Sequence, residues 1–597
     1  MTQARTSLSM ALVGSGGAGI ITAGDLLLRA AARVGLYGLL TRSVGPQIRG
    51  GESAALLRIA HHPVEAHDDA FHFLLVIDWR NFDRFAAEIR LAEDALVLMD
   101  EEAGDIPEHL REANVQFIEL PLTRLAREAG GRANMVAVGL LGRFLGLTEE
   151  ELAGIIEWNF SLKNKPAAIE PSIAAMKAGY EKAAPLLERT TAFAAIEQVA
   201  RAAAAAGERW LISGNEAIAL GFVEAGGRFA AGYPITPASD VLEWLSPRLK
   251  RLGGRMVQVE DEIAALNMAL GASFGGVPSM TATSGPGLSL MIEALGLGVM
   301  AEIPVVVVNV QRIGPSTGIP TKSEQGDLEL ALAGGHGDAP HLVLAADWVG
   351  DCVHTTAWAL HLCERLQCPA IVLSDQKLGH MRAIMDTPPM PRWRAMRDTI
   401  TECDGEYRRH ALTNSGVSPQ ALPGTPGCMY TADGLEHDER SRPSTRTEDH
   451  LAMLAKRARK LEQMEEWPDE EMRHWADSCG EGGLAVITWG SSAGPVREAV
   501  RLAAEKGIEA RCIVLRLLSP PQRKRLKALL EGVKKLLVVE HDHGGQFMRY
   551  LRAHYELPPV VVSCRRPGPR PITARQVLRS LEFAIEAGQP YTERTCA

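Results

Sequence analysis

Gly232-Tyr-Pro-Ile-Thr-Pro-Ala-Ser239, Glu260-Asp261-Glu262 at the head of an apolar helix, Thr283-Ser-Gly-Pro-Gly287, Asn309-Val-Gln-Arg312 and Gly314-Pro-Ser-Thr-Gly-Ile-Pro-Thr321 lie within one stretch of the chain. Polar or conformationally special residues return wherever an apolar segment ends. An α/β domain builds a site from the tips of its strands in this way, so the stretch reads as a parallel sheet with a binding site along one edge. Pro234 and Pro237 fix the backbone around Thr236 and hold its hydroxyl in one orientation, more than a bare helix cap needs.

The helix after Glu260-Asp261-Glu262 runs Ile263-Ala-Ala-Leu-Asn-Met-Ala-Leu-Gly-Ala272. It has no charged face, and the sequence alone predicts burial on every side. Acids at its start complement the helix dipole. Glu262 asks for more, because Ala265, Leu266 and Ala269 are its neighbours at helical spacing. A carboxylate in that setting needs a hydrogen-bonding partner. It is suited to sharing a proton with a ring nitrogen, which thiamine diphosphate chemistry requires at the pyrimidine N1′ to make the cofactor an electron sink.

Working outward, Ser9–Val13 reads as a strand, Gly14-Ser-Gly-Gly-Ala-Gly19 as a tight turn and Ile20–Val34 as a helix. A dinucleotide site would add an acid at the end of the next strand. That strand ends in Thr41-Arg42-Ser43 and the next acid is Glu52, which argues against an NAD dehydrogenase. A second glycine-rich loop, Gly45-Pro-Gln-Ile-Arg-Gly-Gly-Glu-Ser53, places Arg49 near Arg42 in sequence. The two loops read either as plain turns or as a phosphate-binding or partner-docking surface. Strands at Phe73–Ile77, Ala95–Met99 and Gln116–Glu119 alternate with helical patterns, and five alanines at 202–206 mark a helical connector. The region from Ile400 to Glu470 is charged and proline-rich, like a linker. Alternation of strands and helices resumes at Leu484–Thr488.

The 597 residues, 46% hydrophobic and 23% charged, call for several cores in a globular protein. A net charge of -10 without a basic cluster argues against nucleic-acid binding. No apolar run reaches a membrane span and no secretory signal opens the chain. Nine cysteines lie at spacings that match neither a zinc knuckle nor an iron–sulfur run, and a reducing cytoplasm fits them.

Tyr-Pro-Ile-Thr-Pro, the Glu-Asp-Glu-Ile-Ala helix start, Thr-Ser-Gly-Pro-Gly and Gln-Arg-Ile-Gly-Pro-Ser-Thr-Gly-Ile-Pro-Thr together resemble the α subunit of 2-oxoacid:ferredoxin oxidoreductases. Gly-x-Gly-Gly-x-Gly and Gly-Pro-x-x-Arg-Gly-Gly resemble that family's γ domain, fused in front. The resemblance implies an α/β chain of three doubly wound domains: a γ-type domain at 1–190, a helical linker at 191–209 and a thiamine-pyrimidine-binding domain at 210–395. A partner-wrapping arm at 396–480 and a transketolase C-terminal-like domain at 481–597 complete it.

By the same resemblance Glu262 matches the glutamate at N1′, Thr236 and Arg312 the pair that holds the 2-oxoacid carboxylate, and Thr321 a pocket threonine. A guanidinium clamps a carboxylate through two bonds, which agrees. Tyr233, Pro234, Ile235, Ser284 and Gly285 would also contact the cofactor. Arg42, Arg49 and Lys322 are candidates for coenzyme A phosphates or for a distal substrate carboxylate. The chain departs from the family's habit at Val44, Gln47 and Asp542.

No Gly-Asp-Gly segment for the cofactor's diphosphate and Mg²⁺, and no cysteine quartet for a [4Fe-4S] cluster, occur in the sequence. The resemblance therefore implies that a β subunit supplies both, in an (αβ)₂ assembly that passes electrons to ferredoxin and uses coenzyme A as co-substrate. 2-Oxoglutarate is the expected substrate. Alternatives are a pyruvate or broad-specificity member of the family and a non-catalytic nucleotide-binding protein.

Overall fold

The computed structural model describes residues 7–45, 51–80, 82–84, 86–111, 114–187 and 209–595. The expected connector helix and Arg49 lie outside these residues. The described chain forms two compact units, one drawn from Met1–Ser213 and His380–Pro388, the other from Gly214–Gly379 and Pro389–Ala597.

The first unit is built on an eight-stranded sheet. Ser7–Ser15 pairs in parallel with Phe71–Val76, which is followed outward by Leu91–Asp100 and Gln116–Leu120. On its other side Ser7–Ser15 pairs antiparallel with Glu52–Ala60, then come Tyr37–Val44, Arg382–Asp386 and Arg209–Ser213. The sheet is thus mixed, because Tyr37–Val44 returns to Glu52–Ala60 through a loop too short for a crossover helix. Helix Ile20–Arg33 packs on the sheet and on neighbouring helices and buries Ile20, Ala23, Gly24, Leu26, Leu27, Leu28, Ala30 and Ala31, a face broader than a single stripe. At its start Gly19 has φ 80 and lies so close to Asn134 that a side chain would collide with it.

The second unit holds two further sheets. The seven-stranded sheet runs in the order Leu517–Ser519, Leu342–Ala345, Ala370–Asp375, Val306–Gln311, Ser279–Thr283, Phe229–Gly232, Arg255–Gln258. All pairs are parallel except the first, in which Leu517–Ser519 runs antiparallel to Leu342–Ala345. Its inner strands Ser279–Thr283, Val306–Gln311 and Ala370–Asp375 are buried along their whole length, as parallel strands covered on both faces are. The six-stranded sheet runs Ala476–Cys479, Arg511–Leu515, Leu484–Trp489, Lys535–Glu540, Val560–Arg565, Tyr591–Thr595, with Ala476–Cys479 antiparallel at one edge.

Residues 400–470 are more ordered than a linker. Helix Thr447–Glu462 spans 16 residues within them. Lys456 Nζ reaches Glu302 Oε1 and Oε2 at 2.6 and 2.7 Å, and Lys460 Nζ donates to Oε2 at 2.6 Å. Arg409 donates to the Glu302 carbonyl at 2.9 Å, and all four side chains are buried. Burial lowers the Lys456 ammonium to about 7 against the opposing attraction of Glu302. Cys403 and Cys428, with Cα atoms 5.5 Å apart, form a disulfide in the same region, a link that scattered cysteines in a reducing compartment do not lead one to expect.

Candidate functional site

Four adjacent strands of the seven-stranded sheet end side by side at their C-terminal tips, the place where open α/β sheets bind ligands. Phe229–Gly232 delivers Tyr233 to Thr236, Arg255–Gln258 delivers Glu260 to Glu262, Ser279–Thr283 delivers Ser284, and Val306–Gln311 delivers Arg312. The strands fix these positions through a register of backbone bonds, so the site residues inherit the rigidity of the sheet.

Of the three acids, Asp261 caps the helix Glu262–Phe274, its carboxylate accepting from Ala264 N at 2.7 Å. The cap satisfies the helix end and leaves Glu262, 7% exposed, turned inward. A Cβ at Gly287 would stand 2.9 Å from Glu262 Oε1 and closer still to Thr283 Oγ1, so only glycine lets the next helix, Gly285–Met300, approach the carboxylate. Among the described residues, none donates a hydrogen bond to the Glu262 carboxylate, and Arg312 is attracted to it electrostatically.

The expectation that this helix is buried on all sides is corrected. Ile263 and Met268 are 50% and 41% exposed, and Leu290 on the neighbouring helix Gly285–Met300 is 51% exposed. The absence of charge on this face reflects an open apolar surface, since Ala265, Leu266, Ala269 and Leu270 already supply the buried stripe.

Arg312 is 8% exposed and donates through Nη1 to the carbonyl of Thr236 at 2.7 Å. The structure brings the two residues together through the Thr236 backbone, not its hydroxyl. Burial lowers the guanidinium from its ordinary value, with Asp327 and Glu262 pulling the other way. Arg312 Nε, Ser284 Oγ, Asn309 Oδ1, Thr281 Oγ1 and Thr321 Oγ1 are buried without a protein partner. Buried polar atoms are normally bonded, so Arg312 Nε and Ser284 Oγ, next to the strand ends, are places where a ligand's polar atoms could be received. A Glu262 carboxylate lacking a partner and an unbonded Ser284 hydroxyl fit an aminopyrimidine ring.

Arg312 also lines a cleft of about 590 Å³. Gly285, Pro286, Glu324, Asp327, Asp542, His543 and Gln546 line it as well. Asp327 accepts from Asn309 Nδ2 at 3.0 Å, and a Cβ on Gly285 would stand 2.7 Å from Asp327 Oδ2. Burial pushes the carboxyls of Glu324, Asp327 and Asp542 above their ordinary values. On the adjoining strand, burial and then the charge of Asp542 raise Glu540 to about 8, although it accepts from Phe547 N at 2.7 Å. Sequence reasoning missed Asp327 and Glu324. The signal available was three acids and amides, Glu324-Gln325-Gly326-Asp327, directly after a glycine- and proline-rich loop.

Tyr233, Pro234 and Thr236 are exposed, and Ile235 and Thr321 are partly buried. Lys322 sits in the loop closed by the Ile313 N to Lys322 O bond of 3.2 Å. Arg42 is exposed on strand Tyr37–Val44 of the first unit.

Three family profiles match successive parts of the chain. Residues 9–182 match "Pyruvate ferredoxin/flavodoxin oxidoreductase", 221–456 match "Pyruvate flavodoxin/ferredoxin oxidoreductase, thiamine diP-bdg", and 483–577 match "Pyruvate:ferredoxin oxidoreductase core domain II". The chain is 37% identical over 438 residues to the 2-oxoglutarate oxidoreductase subunit KorA of Mycobacterium tuberculosis, a match spanning 72% of this chain but just under two thirds, 65%, of that relative. It is 36% identical over 346 residues to the 2-oxoglutarate synthase subunit KorA of Methanothermobacter marburgensis, covering 58% of this chain and 91% of the relative.

Among solved structures, the 2-oxoglutarate:ferredoxin oxidoreductase from Magnetococcus marinus, determined with 2-oxoglutarate, coenzyme A and succinyl-CoA bound, aligns with a TM-score of 0.86. The two are 32% identical, and the alignment covers 97% of this chain and 100% of the other. Motifs, sheet tips and these likenesses converge, and the chain belongs to the 2-oxoacid:ferredoxin oxidoreductase α-subunit family.

Proposed function

We propose that this chain is the γα-fused subunit of a 2-oxoglutarate:ferredoxin oxidoreductase, which converts 2-oxoglutarate, coenzyme A and oxidised ferredoxin into succinyl-CoA, CO₂ and reduced ferredoxin. The observation that carries the reading is an inward carboxylate lacking a described hydrogen bond, Glu262, that attracts a buried guanidinium, Arg312, at the same C-terminal edge of one sheet. The likeness to a structure that binds 2-oxoglutarate and coenzyme A supports the substrate.

Thiamine diphosphate, when bound, supplies the electron sink for decarboxylation. Glu262 would hold the proton shared with the pyrimidine nitrogen, and Ser284, Gly285 and residues 233–235 would contact the cofactor. Arg312, its Nε open, clamps the substrate's C1 carboxylate beside the Thr236 turn, with Thr321 lining the pocket. Arg42, Arg49 and Lys322 remain the candidates for coenzyme A phosphates or the distal carboxylate. A β subunit bringing Mg²⁺, the diphosphate site and a [4Fe-4S] cluster completes the site. The exposed Ile263, Met268 and Leu290, on the two helices that flank Glu262, support such a partner. A cytoplasmic setting is part of the reading: the buried thiols of Cys352, Cys363 and Cys368 support it, and the Cys403–Cys428 disulfide stands against it. Among the described residues no helix is long and apolar enough to cross a membrane.

The test is to purify this chain with and without its β partner and follow ferredoxin reduction with 2-oxoglutarate or pyruvate as substrate. The expected result is coenzyme A-dependent reduction by the complex, faster with 2-oxoglutarate, and almost none by the single chain. Substantial oxidation by the pure single chain would sink the shared-site reading, and a preference for pyruvate would sink the choice of substrate.

A further inference from the structure

The loop that follows Arg312 is held from outside, residue by residue. Ile313, next to the clamp, is bonded to it twice: its N–H donates to Lys322 O at 3.2 Å and its carbonyl accepts from Ile319 N at 3.0 Å. Beyond Lys322, four consecutive residues are tied to different parts of the second unit. Ser323 Oγ donates to Asp375 Oδ1 at 2.9 Å, and Glu324 Oε1 accepts from Gly568 N at 3.1 Å. Gly326 O accepts from Gln546 Nε2 at 2.7 Å.

Gln325, 1% exposed, makes the densest set. Its backbone N–H donates to His541 O at 2.7 Å and its Nε2 to Trp489 O at 3.0 Å. Its Oε1 accepts from Ser492 Oγ at 2.9 Å and from His541 N at 3.1 Å. Both ends of the amide are therefore used at the tips of two strands of the six-stranded sheet, Leu484–Trp489 and Lys535–Glu540. Gly490, with φ +61, leaves the space, since a Cβ there would collide with Gln325 Nε2.

We propose that Gln325 is a positioning residue for the substrate clamp: it fixes the 319–327 loop to the six-stranded sheet and so sets where Arg312 presents its guanidinium. The inference deepens the functional reading above and rests on it. It assigns a role in substrate binding to the last domain through a residue that does not line the cleft. A bare hydrophobic contact would not do this, because only directional bonds to two strand tips fix both the height and the rotation of the loop.

The experiment uses the assembled complex with its partner subunit. Gln325→Met keeps the length of the side chain and removes both kinds of bond, and Ser492→Ala removes a single bond to the amide as a milder second variant. Losing charge-neutral buried bonds of this kind shifts an equilibrium by roughly tenfold. KM for the 2-oxoacid is expected to rise about tenfold in Gln325→Met and less in Ser492→Ala, with kcat and thiamine diphosphate affinity within about twofold of wild type. Combined with Arg312→Lys, the Gln325→Met effect should be markedly less than additive, because both act on the same clamp.

Unchanged KM in both variants, or full additivity with Arg312→Lys, overturns the proposal even where thermal stability falls, since that pattern describes a structural residue only. A wild-type complex that oxidises no 2-oxoacid would instead overturn the functional reading itself.

Discussion

At the scale of single residues, the site depends on what its neighbours lack. Gly287 has no side chain, and that allows the helix Gly285–Met300 to pass against Thr283 and Glu262. Gly287→Ala should push the carboxylate aside, and Glu262→Gln should leave it in place but deprive it of the shared proton. Both should cut turnover, the glutamine variant by about 10² to 10⁴ with fold and assembly intact. Steady-state rates beside circular dichroism of each complex provide the check, and near-normal turnover of Glu262→Gln would mean that a different carboxylate does the work.

Glu262 and Arg312 are legible in the sequence because each breaks a local pattern: an acid where helical spacing surrounds it with Ala265, Leu266 and Ala269, an arginine at the end of an apolar run. Asp327 and Gln325 break no such pattern. Their meaning lies in Gly285 and Trp489, partners that no periodicity connects to them.

At the scale of elements, the charged stretch around Thr447–Glu462 shows how composition misleads. Lys456 and Lys460 lie in a stretch that reads as a linker, yet they close on Glu302, and the Lys456 partner lies 154 positions earlier in the chain. Buried charges are tolerated when they are paired, and Glu302 pairs with both Lys456 and Lys460, so removing Glu302 from the cluster would leave uncompensated buried charge.

His410 lies in it, 2% exposed and 3.5 Å from Glu302 Oε1, with its ring centroid 3.9 Å from that of His437. Burial lowers His410 to about 3, against the pull of Glu302. A folded-state value below the unfolded one means that the unfolded chain takes up a proton first. The stability contributed by neutral His410 is therefore present above about pH 6.5 and lost as pH falls toward 3. His410→Gln, which has no such proton, should lower the thermal midpoint at pH 7.5 but lose less of it between pH 7 and 5 than wild type. Parallel midpoint-versus-pH curves for the two proteins would remove His410 as the source of that acid sensitivity.

At the scale of the whole molecule, the strands read at Ser9–Val13, Phe73–Ile77, Gln116–Glu119 and Leu484–Thr488 lie within two residues of where they stand, since apolar runs mark buried strands well. What the sequence does not give is membership. Arg382–Asp386 belongs to the first unit's sheet, and Leu517–Ser519, embedded in the last domain's sequence, closes the edge of the seven-stranded sheet. Pairings over such separations are set by which edge is left open once the local units have formed, and short strands carry too little pattern to announce it.

Leu517–Ser519 makes the second unit difficult to divide. A chain cut after residue 480 would retain every residue of the thiamine-pyrimidine region but leave Leu342–Ala345 with bare amides and carbonyls along one side, an invitation to pair with another molecule. The piece 1–480, which keeps the first unit's sheet intact, should therefore be recovered as aggregates and return to a monodisperse state when 481–597 is supplied as a separate chain, a result that size-exclusion chromatography can read directly. The two halves of this unit are thus bound to a shared fate in folding. A lineage that exchanged the last domain for another would have to bring a replacement strand with it, and that requirement restricts which rearrangements of these modules can survive.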